Sequence, residues 1–180
     1  MGLKKRSILV LSIFIVLAFF LTATGSSALA DGDNAPVKVY KVGDKVEAIN
    51  VQSLDGKTVN LIKELKKPTI IQFMNTACSA CKAELGSLVG LKDDLNGKFD
   101  VFSVSVDLGG AASVKRYEDK WHFGVDYFLD PSFTAAPVFG FSFTPAFVVL
   151  DKSGTILMSQ KGFMVSKEQQ VIDGITAVLK

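Results

Sequence analysis

The fold is decided by residues 70–84, Ile-Ile-Gln-Phe-Met-Asn-Thr-Ala-Cys-Ser-Ala-Cys-Lys-Ala-Glu. The apolar run at the start of this stretch is typical of a strand that is buried on both faces. Asn75 and Thr76 then break the run, because they are turn and helix-capping residues. Leucines and valines recur at helical spacing from there to Leu95, which predicts an amphipathic helix. The order is therefore strand, tight turn, two cysteines and helix.

The two cysteines lie where that helix is predicted to begin. Cys78 lies at or just before the first helical turn, where unpaired backbone N–H groups and the positive end of the helix dipole favour a thiolate over a thiol. Cys81 follows three residues later on the same face and is expected to be less exposed. One sulfur can then attack a disulfide and the other can resolve the intermediate. The pattern predicts a redox-active dithiol.

Other uses of a Cys-x-x-Cys pair fit this sequence less well. A structural zinc site needs four ligands, whereas the chain has two cysteines and one histidine, His122. Covalent haem attachment needs a histidine straight after the second cysteine, and Lys82 stands there. A framework of structural disulfides needs more cysteines. We therefore expect no metal and no cofactor other than the redox-active Cys78–Cys81 disulfide.

The N-terminus has the layout of an export signal. A basic segment at residues 4–6 precedes an apolar run over residues 8–23, and Ala-Leu-Ala at residues 28–30 is an A-x-A cleavage site. The apolar run is at the short end for a membrane span, so cleavage before Asp31 is favoured over an uncleaved membrane anchor. Either outcome places the following chain outside the cytoplasm.

The chain after the leader is predicted to form one domain. Residues 1–30 are the signal peptide or anchor, residues 31–42 are a polar linker, and residues 43–180 are long enough for a sizeable core. The leader holds three of the 20 Lys and Arg residues and none of the 18 Asp and Glu residues, so its removal changes the net charge from +2 to −1. No basic face for nucleic acid is implied. A dithiol that acts as a reductant in an oxidising compartment needs electrons from a partner.

The remaining segments alternate between strands and helices. Asp55-Gly56 is a turn signal that predicts a hairpin between residues 46–51 and 57–60. The same patterns predict a helical turn at 61–65, strands at 69–74, 99–107, 125–128, 146–150 and 155–160, an irregular aromatic segment at 137–143, and helices at 79–96, 112–122 and 167–179. This order predicts an α/β fold, in which helices flank a central mixed sheet that carries an N-terminal β-hairpin extension.

The order of these elements resembles the thioredoxin fold. Three motifs resemble, more closely, the TlpA/ResA-like family of exported thiol–disulfide oxidoreductases within the redoxin or AhpC/TSA-like group. The family's Cys-x-x-Cys-Lys-x-Glu motif is matched by residues 78–84, its Tyr-Gly-Val-x-x-x-Pro run loosely by residues 139–145, and its Asp-x-x-Gly strand end by residues 151–154. The resemblance covers residues 43–179 and implies a thioredoxin-like domain.

The chain departs from the family pattern at several positions. Ala77 stands before the first cysteine, where Trp is common, and Ser79 and Ala80 fill a pair that often encloses Pro. Gly86 replaces a helix-kinking proline, and Gln72 stands where thioredoxins carry a buried Asp. These departures bear on the redox potential and on the route of proton transfer, and they leave the predicted fold unchanged.

The predicted helix start assigns roles to the two cysteines, and the resemblance assigns roles to a Thr-Pro pair. Cys78 is expected to be the nucleophile, and Cys81 is expected to attack the mixed disulfide and release the product. Pro145 resembles the cis-proline that faces the cysteines in this fold, the alternative being an ordinary trans proline in a turn. The backbone of Thr144 is then expected to pair with an extended substrate strand.

Residues near the cysteines could modulate them. Glu84 lies one helical turn after Cys81, where a carboxylate would oppose thiolate formation; the alternative is a solvated surface acid. Gln72 cannot titrate, so it could only hydrogen-bond or position water. Lys82 either favours the thiolate or is simply solvated. Trp121 is expected in the core and His122 at a surface or helix end.

These observations together predict an exported thiol–disulfide oxidoreductase that is periplasmic or otherwise extracytoplasmic. The family implies protein thiol or disulfide substrates, a role in cytochrome c maturation, antioxidant activity and a membrane electron donor for re-reduction. Contact with the membrane is expected only if the leader is uncleaved. No nucleic-acid partner is expected.

Two alternative functions remain open at this point. Peroxiredoxins share the fold and resemble Pro-x-x-x-Thr-x-x-Cys, but Ile71 and Asn75 occupy the Pro and Thr positions here. Copper-delivery proteins of this fold resemble Cys-x-x-x-Cys with a later ligand histidine. The spacing here is one residue shorter, although two thiolates can still bind Cu(I).

Overall fold

The computed structural model describes residues 38–180. The predicted leader and most of the predicted linker, residues 31–42, lie outside the described residues and stay predictions. At the end of that linker, the Tyr40 N–H donates to the Val138 carbonyl over 2.7 Å. Among the helices of residues 38–180, none has the length and hydrophobicity that a bilayer span requires.

Strands and helices alternate along the described chain. Their bounds are β1 Asn50–Ser53, β2 Thr58–Asn60, α1 Leu61–Glu64, β3 Thr69–Met74, α2 Ser79–Asp94, β4 Asp100–Ser105, α3 Gly110–Trp121, β5 Asp126–Leu129, β6 Ala146–Leu150, β7 Ile156–Lys161 and α4 Glu168–Val178. Two short 3₁₀ segments, Ala136–Phe139 and Val165–Lys167, precede β6 and α4. Most of the predicted elements are thus confirmed, with ends that differ by at most four residues.

The strands form one mixed sheet in the order β2-β1-β5-β4-β3-β6-β7. β3, β4 and β5 are parallel neighbours, whereas the pairs β1–β2, β1–β5, β3–β6 and β6–β7 are antiparallel. The predicted mixed sheet is therefore confirmed, and the N-terminal hairpin extends it at one edge. β3 pairs with a neighbouring strand along both of its edges, and a hydrophobic core covers each of its faces. All six of its residues are therefore buried.

The three longer helices, α2, α3 and α4, contribute to one core on one face of the sheet. The chain steps from β3 to β4 to β5 in one direction, and right-handed crossovers then place α2 and α3 on the same side. Successive residues of β3 alternate between the two cores. Ile70 and Met74 belong to the core beneath the helices, with Gln72 between them, while Ile71 and Phe73 belong to the second core.

Two predicted boundaries differ for physical reasons. Residues 46–49 were expected in the hairpin, but the Val46 N–H donates to the Gly154 carbonyl over 2.9 Å, so this segment packs against the β6–β7 turn instead. The aromatic segment 137–143 was expected to be irregular, yet its start lies in the 3₁₀ helix Ala136–Phe139, which ends at Gly140 with a φ of 72°. That left-handed conformation favours glycine.

Candidate active site

A tight turn carries the chain from β3 to α2 and delivers the first cysteine. The Asn75 side-chain oxygen accepts the Ala77 N–H over 2.9 Å, and the Asn75 carbonyl accepts the Cys78 N–H over 3.0 Å. Asn75 is thus the turn residue that the sequence predicted. The helix cap differs from the prediction, because Cys78, and not Asn75 or Thr76, is the N-cap of α2.

The two cysteines form a disulfide at the beginning of α2. Their Cα atoms are 5.2 Å apart, and the Cys78 Sγ accepts the Cys81 N–H over 3.1 Å. Cys81 is fully buried among core residues, whereas Cys78 is only partly buried. The helix start therefore offers a backbone donor to the outer sulfur and shields the inner one.

Asp107 links the cysteine turn to the end of β4 through hydrogen bonds, and the sequence patterns did not indicate it as a site residue. Its carboxylate accepts the Thr76 N–H over 2.8 Å and the Thr76 hydroxyl over 2.9 Å, and it also accepts the Ser105 hydroxyl over 2.6 Å. β3 and β4 are parallel, so their C-terminal ends lie side by side at this point. An acid at the C-terminal end of a predicted neighbouring strand, residues 99–107, was the available signal.

A buried polar pair lies beneath the disulfide. Gln72 is on the helix-facing side of β3, and its side-chain amide donates to the Glu84 carboxylate over 2.8 Å and to the Cys81 carbonyl over 3.0 Å. The Ser103 hydroxyl donates to the Gln72 side-chain oxygen over 3.3 Å. Gln72 thus hydrogen-bonds, as its chemistry predicted, and it links β3 to the residue that carries the inner sulfur.

Glu84 is buried, so the surface alternative for this residue is wrong. It lies on the same face of α2 as Cys81 and Leu85, and its side chain is inaccessible to solvent. Burial raises the pKa of the Glu84 carboxyl from 4.5 to about 7, although the hydrogen bond from Gln72 opposes this shift. One carboxylate oxygen, Oε1, has no hydrogen-bond partner among the described residues. A carboxyl with this environment can hold or release a proton near neutral pH.

The predicted cis peptide bond between Thr144 and Pro145 is confirmed. β6 begins at the next residue, Ala146, which pairs with Phe73 near the end of β3. The Thr-Pro pair therefore lies at the end of the sheet from which the cysteine turn emerges. The Pro145 carbonyl accepts the Gly162 N–H over 2.8 Å. A substrate-pairing role for Thr144 stays a prediction.

The surroundings of Lys82 correct a further expectation. Trp121 was expected in the core, and this expectation is wrong, because Trp121 ends α3 with 40% of its surface exposed. The Lys82 ammonium lies over its ring, 3.5 Å from the ring centroid. Lys82 is thus not simply solvated, and a role for it in favouring the thiolate stays a prediction. His122 caps the C-terminus of α3 in an exposed position, which confirms its predicted place at a helix end.

The sheet order, the cis-proline and a disulfide at a helix start define a protein of the thioredoxin-fold class. The profile of the AhpC/TSA family matches residues 42–159, so the chain belongs to the AhpC/TSA family. Among curated proteins, none matches this chain. The predicted resemblance to the redoxin or AhpC/TSA-like group is therefore confirmed at the level of the AhpC/TSA family.

Solved structures carry the same fold. A protein assigned as the thiol:disulfide interchange protein DsbE from Chlorobium tepidum is 18% identical, with a TM-score of 0.68, covering 78% of this chain and 99% of its own. A secreted disulfide oxidoreductase from Mycobacterium tuberculosis is 17% identical, with a TM-score of 0.56 and coverages of 71% and 94%. A protein assigned as a thioredoxin from Neisseria meningitidis is 26% identical, with a TM-score of 0.58 and coverages of 74% and 91%. These likenesses establish the predicted thioredoxin-like fold.

Proposed function

We propose that this protein is a thiol–disulfide oxidoreductase that reduces or exchanges disulfides in proteins. The observation that carries the proposal is the Cys78–Cys81 disulfide at the start of α2, with the outer sulfur accepting a backbone N–H. Membership of the AhpC/TSA family and the likeness to solved oxidoreductases support it. The unequal burial of the two sulfurs fits one attacking and one resolving cysteine.

The reaction starts from the reduced dithiol. The Cys78 thiolate attacks one sulfur of a substrate disulfide, so that a bond forms to Cys78 while the substrate S–S bond breaks, and the departing substrate sulfur takes a proton. Cys81 then loses its proton, and its thiolate attacks the Cys78 Sγ. The bond between Cys78 and the substrate breaks, which leaves the Cys78–Cys81 disulfide and a reduced substrate. Two electrons have passed to the substrate, and a dithiol reductant must return them.

Glu84 is proposed to serve the second step. The carboxyl lies one helical turn after Cys81 on the same buried face, and its pKa, raised by burial to about 7, allows it to accept a proton at neutral pH. Gln72 holds the carboxylate in place from β3. In its charged form, Glu84 would oppose a thiolate at Cys81, and accepting the proton removes that opposition.

We place this activity outside the cytoplasm. The leader layout of residues 1–30 supports export, and the secreted Mycobacterium tuberculosis oxidoreductase of the same fold is consistent with it. The compartment is oxidising, so a membrane electron donor is proposed to keep the dithiol reduced. Apo-cytochrome c is the protein substrate that the TlpA/ResA resemblance suggests.

A peroxidase function receives less support from the site. The position of the peroxiredoxin Pro is taken by Ile71, which is fully buried in β3. The position of the Thr is taken by Asn75, whose side chain is already engaged by the Ala77 N–H. Neither residue offers a hydroxyl that could hold a peroxide beside Cys78.

Trapping of mixed disulfides tests the proposed function. Cys81→Ser leaves Cys78 able to attack and removes the resolving sulfur, so this variant should accumulate adducts with protein disulfides that dithiothreitol releases. Cys78→Ser is the matched control and should accumulate far fewer. Equal adducts on both variants, or none on either, would contradict the proposed roles of the two cysteines.

A further inference from the structure

A hollow beside the cysteine turn is lined by residues that the proposed chemistry does not use. Its cavity volume is about 210 Å³. We call it the α3 hollow, and its lining residues are Thr76, Ser113, Arg116, Tyr117, Lys120 and Trp121. Thr76 belongs to the turn that leads into Cys78, so the hollow includes a residue two positions along the chain from the cysteine proposed to attack.

Two cations lie over the exposed Trp121 ring, and a third lines the same hollow. The Lys82 ammonium lies 3.5 Å from the centroid of the Trp121 ring, and the Lys120 ammonium lies 4.9 Å from it. Arg116 is one helical turn before Lys120 on the same face of α3, and its guanidinium donates to the Ser113 hydroxyl over 3.3 Å. Within residues 38–180, none of these three cations forms an ion pair.

The nearby acids do not line the α3 hollow. The Asp107 carboxylate is occupied by Thr76 and Ser105. The Glu118 carboxylate accepts hydrogen bonds from the Tyr127 hydroxyl and from two backbone N–H groups after α3. Asp119 is exposed on α3 but does not line the hollow. The charged side chains that line the hollow, Arg116 and Lys120, are therefore both basic.

Trp121 and Tyr117, the aromatic side chains of the hollow, each leave a surface or a polar atom unsatisfied by the described residues. Trp121 leaves 40% of its surface exposed although it is a large apolar side chain. The Tyr117 side chain is 5% exposed, and its hydroxyl has no hydrogen-bond partner among the described residues. An exposed indole edged by unpaired ammonium and guanidinium groups is a surface that suits an anionic polypeptide segment.

We propose that the α3 hollow docks an acidic segment of the substrate protein, with Asp or Glu residues within a few positions of the cysteine that Cys78 attacks. This inference rests on the proposed function and names the class of substrate. Opposite charges steer the substrate towards the site and raise the association rate, and they also orient the bound chain so that its sulfur meets Cys78. Neutral or basic segments gain neither effect.

The charge preference is measured with two synthetic disulfide peptides of identical sequence, except that Asp residues flanking the cysteine are replaced by Asn. Reduced protein is mixed with each peptide, and the second-order rate of peptide reduction is recorded. The acidic peptide should react about three- to tenfold faster at low salt, as expected for a few screened surface charges. The preference should shrink as added salt shortens the Debye length from about 30 Å at 0.01 M to about 3 Å at 1 M.

Charge-removing variants assign the preference to the hollow. The double substitution Arg116→Gln and Lys120→Gln should slow reduction of the acidic peptide to the rate of the neutral one, while the rate with the neutral peptide stays at the wild-type value. The matched control is Lys63→Gln with Lys152→Gln, which removes the same charge from exposed positions at the opposite end of the sheet. This control should keep the preference.

The outcomes separate the two proposals. Reduction of both peptides at equal rates, or a preference that survives in the Arg116→Gln and Lys120→Gln protein, overturns the docking inference and leaves the oxidoreductase function standing. Reduction of neither peptide by the fully reduced wild-type protein overturns the proposed function, and the docking inference falls with it. A salt-sensitive preference that only the hollow variant loses supports both.

Discussion

At the scale of single residues, the site depends on a carboxyl that is buried without an ion pair. Glu84 takes one hydrogen bond from Gln72 and leaves its second oxygen without a partner among the described residues. A buried carboxylate of this kind costs free energy, which the protein avoids by keeping the group protonated up to about neutral pH. The same environment that would let Glu84 move a proton therefore destabilises its charged form.

The pH dependence of stability should report this cost. The folded-state pKa of Glu84 is raised from 4.5 to about 7, so between these values the folded state holds a proton that the unfolded state has lost. The contribution of Glu84 to stability is thus fully present below pH 4.5 and is lost as the pH rises towards 7. At about 1.36 kcal/mol per pKa unit, the loss is on the order of 3 kcal/mol.

Glu84→Gln removes the titrating group and keeps an oxygen that can accept the Gln72 amide. We expect Glu84→Gln to become more stable relative to wild type as the pH is raised from about 5 to 8, with its free energy of unfolding rising by up to about 3 kcal/mol against that of wild type. Chemical denaturation of the oxidised proteins across this range is the measurement. Asp94→Asn, at an exposed position of the same helix, is the matched control and should show no such trend. A difference between Glu84→Gln and wild type that does not change with pH would contradict the assignment.

At the scale of secondary-structure elements, the start of α2 distinguishes the two cysteines. Cys78 is the N-cap and its sulfur accepts the Cys81 N–H, while Cys81 is already inside the helix and buried. Charge at a helix N-terminus gains about 0.3–1 kcal/mol, which corresponds to roughly a two- to fivefold larger thiolate population. Burial of the inner sulfur adds to the difference, because it limits access and disfavours the thiolate.

Limiting alkylation should therefore favour the outer sulfur. Treatment of the reduced, folded protein with a deficit of iodoacetamide is expected to label Cys78 several times more than Cys81, as read by peptide mass mapping. The same reaction in concentrated guanidinium chloride is the control and should label both sites to similar extents. Equal labelling in the folded protein, or preferential labelling of Cys81, would mean that Cys78 is not the attacking thiolate.

The sequence was a good guide to this element and a poor guide to its contacts. Residues 70–84 predict strand, turn and helix because apolar burial and helical spacing are local patterns. The hydrogen bond from Thr76 to Asp107 joins residues 31 positions apart, which the pairing of β3 with β4 brings together. The hydrogen bond from Gln72 to Glu84 joins residues 12 positions apart, which the packing of α2 on β3 brings together. The burial of Glu84 and the exposure of Trp121 likewise depend on helix packing, which the local pattern does not contain.

At the scale of the whole molecule, the net charge depends on whether residues 1–30 are removed. All three basic residues of residues 1–30 lie at positions 4–6, so the cleaved protein carries 17 basic and 18 acidic residues. A net charge near zero gives no general attraction for acidic partners. Selection of an acidic substrate segment would then have to come from the cations that lie around Trp121, and not from the net charge of the protein.

Processing of the leader is the last prediction. The A-x-A pattern at residues 28–30 should direct cleavage before Asp31, so the exported protein is expected to begin at Asp31 and to leave the membrane fraction. N-terminal sequencing and the intact mass of the exported chain measure this. Ala30→Phe replaces a small residue at the cleavage site by a large one and should leave the chain uncleaved in the membrane fraction, whereas Ala30→Gly keeps a small residue and should be cleaved. An exported wild-type chain that retains Lys4 and stays with the membrane would instead identify residues 1–30 as an anchor.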